Sequence, residues 1–305
     1  MRISGLWVAL LTPLETDGRV DHAALQRHMG ALAAAGVDGF VPLGTTGEFC
    51  EFSRRERAEI LATVVRARGA LPVLAGVSGL STRETCELAE DAATAGVDGV
   101  LALPPLYWPT SEEGLVRHFR EVAEASGLPL VVYDFPGTTG TAVSASAILR
   151  AAALDERVVG AKLTVRSPDP ILDLLGAVRR ERPGFSVVTG FEDMIPATIA
   201  AGGAGAISGL ANICPEVLVM LVKALHSGGQ EAMELYRQVL AMCDVYGLTT
   251  PAIPGLKAVA AALGRLPRST SRVTAEQSDE IDEIAHRWLD NALAIRGLSG
   301  PLALP

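Results

Sequence analysis

A lysine at the end of an apolar run is the residue around which the chemistry of this sequence gathers. Val158-Val159-Gly160-Ala161-Lys162 ends a β-branched stretch on an ammonium, a place where charge is costly unless it is paired or the amine is neutral. Taken alone, such a lysine is more often a solvated strand end. The balance changes because other polar residues sit at comparable points. Thr45-Thr46 follows a second apolar run, Tyr107 a third, Tyr133 ends a fourth, and Gly190 follows a fifth.

The chemistry these types allow is that of an amine nucleophile. A lysine attacks a carbonyl as the free amine, and an ordinary pKa of about 10.4 leaves little of it at neutral pH. Burial in an apolar mouth raises that fraction. The resulting iminium is an electron sink that stabilises a carbanion beside it, as in a 2-oxo acid. A phenol such as Tyr133 can then move protons to and from the carbinolamine and the departing or attacking oxygen. Gly44-Thr45-Thr46-Gly47-Glu48 reads equally as a carboxylate holder, with close-approaching amides and two hydroxyls, or as a solvated turn before a capped helix. No lysine follows its glycines, which argues against a phosphate loop.

Positioning these groups takes an alternation of strands and helices. Apolar strand patterns run from Gly5 to Leu11, Phe40 to Leu43, Pro72 to Val77, Gly99 to Leu103, Leu130 to Tyr133, Val158 to Lys162, Ser186 to Thr189 and Gly205 to Ile207. Helices between them open on Asp21, on capping boxes at Ser53/Glu56 and Ser81/Glu84, on Ser111, and at about Ser144. Ala35-Gly36-Val37-Asp38-Gly39 recurs as Ala95-Gly96-Val97-Asp98-Gly99, with a looser copy from Ala201-Gly202 to Gly205. Eight such units predict an α/β chain folded as a (β/α)8 TIM barrel, whose chemistry collects where strands end. An open doubly wound sheet is the runner-up, but the first helix lacks a Gly-x-Gly-x-x-Gly turn. The expected division is a catalytic barrel over 1–227 and a C-terminal helical extension over 228–305. Pro215 to His226 closes the barrel, and helical patterns follow at Gln230 to Tyr246, Ile253 to Leu263 and Thr274 to Arg296.

Composition narrows the function. The 305 residues are 49% hydrophobic and 20% charged, which implies a large core. A net charge of −9 without a basic stripe argues against nucleic acid. No apolar stretch reads as a membrane span, and Met1 to Leu14 does not read as a targeting signal. The cysteines, Cys50, Cys86, Cys214 and Cys243, are far apart, which suits a reducing cytoplasm. His22, His28, His118, His226 and His286 fall on helix faces without ligand spacing, so no metal is expected and most should be solvated.

The sequence resembles the dihydrodipicolinate synthase and N-acetylneuraminate lyase family of class I, Schiff-base aldolases. The likeness runs from Ala9-Leu10-Leu11-Thr12-Pro13 to the C-terminal helices. It is carried by Gly44-Thr45-Thr46-Gly47-Glu48, by Tyr133-Asp134-Phe135-Pro136 with Thr139-Gly140, and by Gly160-Ala161-Lys162. The resemblance implies that Lys162 forms the Schiff base and that Tyr133 shuttles protons. It makes Thr45 the link from Tyr133 to Tyr107, which would reach in from a neighbouring subunit. It puts Thr46 on the pyruvate carboxylate, and Gly190 and Ile207 along the pyruvate pocket. It further implies no cofactor beyond the covalent imine, a 2-oxo acid and an aldehyde as partners, and a homotetramer built from dimers.

The departures bear on the substrate. Thr138 stands where the synthases carry an arginine for a second carboxylate, and a hydroxyl does not replace a bidentate guanidinium. Asp134 replaces a frequent asparagine, and Trp108 follows Tyr107. Phe49, Trp108 and Phe135 are either an apolar far end of the pocket or packing residues. The expected activity is a pyruvate-dependent carbon-carbon lyase acting on a 4-hydroxy-2-oxo acid or a 2-oxo-3-deoxy sugar acid. The alternatives are 4-hydroxy-tetrahydrodipicolinate synthase, a sugar-acid dehydratase working through the same imine, and a non-catalytic 2-oxo-acid-binding regulator.

Overall fold

The structure is a computed structural model and describes residues 1–273 and 280–295. Eight parallel strands form a (β/α)8 barrel: β1 Gly5–Ala9, β2 Gly39–Val41, β3 Leu74–Gly76, β4 Gly99–Ala102, β5 Leu130–Asp134, β6 Val158–Leu163, β7 Ser186–Thr189 and β8 Gly205–Ser208. Their order is β2-β1-β8-β7-β6-β5-β4-β3. The ends meet through a Phe40–Val73 bridge, where the Phe40 N–H donates to Pro72 O at 3.0 Å and the Gly76 N–H to Pro42 O at 2.9 Å. The strands are buried almost throughout because helices cover the outside and side chains fill the inside.

The repeated Ala-Gly-Val-Asp-Gly segments have a structural reason. In both full copies the aspartate accepts an N–H of the neighbouring strand: Asp38 Oδ2 takes Leu6 N at 2.8 Å, and Asp98 Oδ2 takes Val73 N at 2.8 Å. The preceding glycine ends its helix or the turn after it at positive φ, +88° at Gly36 and +84° at Gly96. The same five residues thus stop a helix and fix the start of a strand pair.

Helix starts follow the sequence signals closely. Ser53 caps Arg54–Ala67 with the reciprocal Glu56 bond in place. Ser81 also caps its helix, Thr82–Ala95, but Glu84 turns away and accepts the Leu80 N–H at 2.8 Å. The box expected there is therefore only half formed. The helix expected from Gln230 to Tyr246 is shorter, Ala232–Met242, and tightens into a 3-10 turn at Cys243–Gly247. The last described helix is Glu280–Ile295; the start expected for it at Thr274 lies outside the described residues.

Two of the five histidines, though on helices as expected, are not solvated. His28 is buried, its Nε2 3.0 Å from Asn212 Oδ1. His118 is buried between Thr82 and the Leu103 carbonyl. Burial pulls both imidazoles down to about 4, so they sit in the core as neutral rings.

Candidate active site

Neighbouring strands β5 and β6 bring the two central residues together. Tyr133 is the register partner of Lys162. The Lys162 Nζ lies over the phenol ring, 4.2 Å from its centroid. Both side chains are buried, Lys162 at 5% exposure. No carboxylate among the described residues lies within ion-pair range of this amine. The Tyr133 hydroxyl is 3.4 Å from Thr45 Oγ1, across the mouth on the loop that follows β2. Lysine, phenol and hydroxyl, 117 positions apart from Thr45 to Lys162, therefore form one cluster.

The loop carrying Thr45 and Thr46 is held in an unusual conformation. Leu43 and Glu48, on either side, adopt left-handed backbone at φ 56° and 59°, which costs non-glycine residues energy and persists only when packing enforces it. Here β3 presses from below, since a Cβ on Gly76 would overlap the Leu43 carbonyl. From the other side the buried Glu48 carboxylate pairs with Lys257 of the C-terminal helix Ile253–Ala262. It also accepts the Ser271 hydroxyl at 3.1 Å and the Arg272 N–H at 2.8 Å. Glu48 is thus structural, while the two threonines remain partly open.

Gly190 has a steric reason to be glycine. A Cβ there would overlap Thr164 Oγ1 and approach Lys162 Cε to 2.8 Å. Thr164 itself was not among the residues expected at the site. Its hydroxyl is buried beside Lys162 with no hydrogen-bond partner among the described residues. The strand period of two supplies the missed signal, because residues 162 and 164 share a face.

A second unforeseen group lies behind Thr46. A side chain on Gly209 would meet the Tyr246 hydroxyl at 2.9 Å and Thr46 Oγ1 at 3.1 Å. Tyr246 donates to the buried Glu192 Oε1 at 2.9 Å, which also accepts Ser208 Oγ at 2.6 Å and Leu210 N at 3.1 Å. Burial pushes the Glu192 carboxyl up, while Ser208, Leu210 and Tyr246 pull it back. Spacing could not reveal this link, because Tyr246 belongs to the helical extension.

The remaining expected residues are distributed more widely. Ile207 is fully buried in β8, register partner of Trp7. Thr138 is exposed on the short helix Pro136–Thr139. Tyr107 is 71% exposed and packs edge-to-face on Trp108, itself 72% exposed, with ring centroids 4.9 Å apart. The chain does not bring Tyr107 to its own Tyr133. Phe135 stacks on Tyr133 at 6.0 Å, whereas Phe49 packs inside under Arg57.

Comparison with known proteins agrees with this geometry. The family model described as the dihydrodipicolinate synthetase family matches residues 2–287. A 4-hydroxy-tetrahydrodipicolinate synthase of Natronomonas pharaonis is 40% identical over 225 residues, 74% of this chain and 76% of that protein. A putative 2-dehydro-3-deoxy-D-gluconate aldolase of Escherichia coli, YagE, is 34% identical over 273 residues, 88% of this chain and 90% of that protein. The crystal structure of YagE in complex with pyruvate superposes with a TM-score of 0.91 at 30% identity, covering 95% of this chain and 99% of that one. A dihydrodipicolinate synthase variant described as monomeric gives a TM-score of 0.88 at 29% identity, covering 95% of this chain and 97% of that one. The chain belongs to the dihydrodipicolinate synthetase family and is an aldolase-type lyase.

Proposed function

We propose that this enzyme cleaves or forms a carbon-carbon bond through an imine between Lys162 and a 2-oxo acid. The observation that carries the reading is the buried Lys162 amine lying over the Tyr133 ring, with Tyr133 in turn beside Thr45. The free amine adds to the 2-oxo carbon, and loss of water gives the iminium. In the cleavage direction Tyr133, left as a phenolate after giving its proton to the water that departs from the carbinolamine, takes the proton of the C4 hydroxyl, the C3–C4 bond breaks, and its electron pair moves into the iminium to leave an enamine. The aldehyde departs, the enamine is protonated at C3, and water returns to release pyruvate and the lysine. Thr46 with the adjoining loop amides holds the carboxylate, and Gly190 and Ile207 line the pyruvate end. The imine is itself the electron sink, so the chemistry calls for no metal and no cofactor.

A 2-oxo-3-deoxy sugar acid fits the far end better than aspartate semialdehyde. Thr138 offers no guanidinium for a second carboxylate at that position, and the Thr164 hydroxyl, without a partner among the described residues, offers a hydrogen bond to a substrate hydroxyl beside Lys162. The synthase reading stays in view because a relative at 40% identity bears that name. The exposure of Tyr107 supports an assembly in which its hydroxyl serves a neighbour's Tyr133, within a homotetramer built from dimers. Four cysteines, none of them in a disulfide among the described residues, fit a cytoplasmic enzyme.

Incubation with pyruvate and borohydride, followed by peptide mapping, tests the reading. The expected adduct is on Lys162 and is absent from Lys162→Ala; an adduct elsewhere, or none, overturns it. Tyr133→Phe should still trap pyruvate but lose about two to four orders of magnitude in kcat. Pyruvate release from a panel of 4-hydroxy-2-oxo acids, against condensation with aspartate semialdehyde, separates lyase from synthase.

A further inference from the structure

β6, which presents Lys162, ends at Leu163, and the segment beyond it carries Thr164 and Arg166, whose guanidinium differs from most other arginines of the molecule. Most of those lie against carboxylates or carbonyls. Arg166 is exposed, has no ion-pair partner among the described residues, and holds its guanidinium carbon over the Phe191 ring, 4.4 Å from the centroid. A guanidinium held over an aromatic face by cation–π attraction still has N–H donors to offer an anion.

Its position is defined from two sides. Gly190 abuts Lys162 Cε, and Phe191, the next residue, carries Arg166. Arg166 and Phe191 line a cavity of about 420 Å³ with Glu192, Asp193, Tyr246 and Trp288. Tyr246 crowds the same spot as Thr46, so the cavity adjoins the region of the carboxylate loop. The chain therefore carries a cation on the β6–β7 side of the mouth, while the β5 side carries the uncharged Thr138.

We propose that Arg166 is a specificity-determining residue that binds a terminal carboxylate on the far end of the substrate, making a 2-oxo-3-deoxy diacid the preferred class. The inference rests on the imine reading above and deepens it. A carboxylate suits the site better than a phosphate. Asp193 and Asp244 also line the cavity and would repel a dianion more strongly than a monoanion, whereas substrate hydroxyls can donate to them.

The test compares pyruvate release from two 2-oxo-3-deoxy acids of equal chain length, one ending in a carboxylate and one in a hydroxymethyl group. The wild type should favour the diacid by at least about ten-fold in kcat/KM, mainly through KM. Arg166→Met should bring the two substrates to within about two-fold, and Arg166→Lys should keep part of the preference. Borohydride trapping of pyruvate on Lys162 should be the same in all three proteins. Equal use of both acids by the wild type, or a preference unchanged in Arg166→Met, overturns the proposal. Release from neither acid, with trapping intact, also overturns it while leaving the imine reading standing; loss of trapping in the wild type removes that reading itself.

Discussion

Asp134 follows the proton-shuttle candidate directly, and its carboxyl is buried with Oδ1 accepting the Val143 N–H at 2.9 Å. Burial raises its pKa from 3.8 to about 6, against the pull of that N–H. Between those values the unfolded chain has lost the proton while the native chain still holds it. Stability from this group therefore falls as pH rises through the window and stays low above it. Asp134→Asn keeps an oxygen for Val143 and removes the charge. The variant should melt a few degrees above the parent at about pH 7.5, and the gap should close at about pH 3.5; a gap independent of pH would contradict this account. At this scale Lys162, Tyr133 and Thr45 were legible because each ends, or directly follows, an apolar strand pattern. Glu192 and Tyr246 were not, and Thr164 showed only its place two residues from Lys162, not its lack of a partner among the described residues. A buried threonine or glutamate looks like any solvated one until its neighbours in space are known.

The element that most depends on tertiary context is the loop after β2. Its glutamate read as part of an anion holder, yet Glu48 is paired with Lys257 from a helix more than two hundred residues later. Both side chains are fully buried, so their mutual attraction opposes two desolvation costs. Burial pushes the Lys257 amine down, while Glu48 pulls it up. Lys257→Met should destabilise the protein by about 3–5 kcal/mol, because it strands the carboxylate. The double variant Glu48→Gln/Lys257→Met should regain most of that loss, since a glutamine oxygen can still accept from Ser271 and Arg272. Chemical denaturation of the parent, Lys257→Met, Glu48→Gln and the double variant measures the coupling, and additive losses would refute it. Helix ends, by contrast, were readable one by one, because a capping serine or a left-handed glycine acts within four residues of itself.

At the scale of the whole molecule, the exposed Leu80, Tyr107 and Trp108 stand out against a well-covered barrel. Tyr107 is turned away from its own site, which fits the role proposed for it across a subunit boundary. Mixing Lys162→Ala with Tyr107→Phe tests this. In a hybrid dimer the site with an intact lysine would receive its tyrosine hydroxyl from the Lys162→Ala chain. Activity of the re-assembled mixture should exceed the sum of the separate variants several-fold; a merely additive mixture would show that Tyr107 serves its own chain or none.

The sequence by itself determined the barrel and the strand end on which Lys162 sits. Hydrophobic periodicity, helix caps and glycine stops are local, and strand ends in such a barrel face one mouth. Only the tertiary structure decided which distant groups share that mouth. Glu48 meets Lys257, Tyr246 meets Glu192, Thr164 flanks Lys162, and Arg166 lies on Phe191. These pairings depend on how the extension packs on the barrel and on which side chains burial leaves without water, and neither is written in the spacing of residues along the chain.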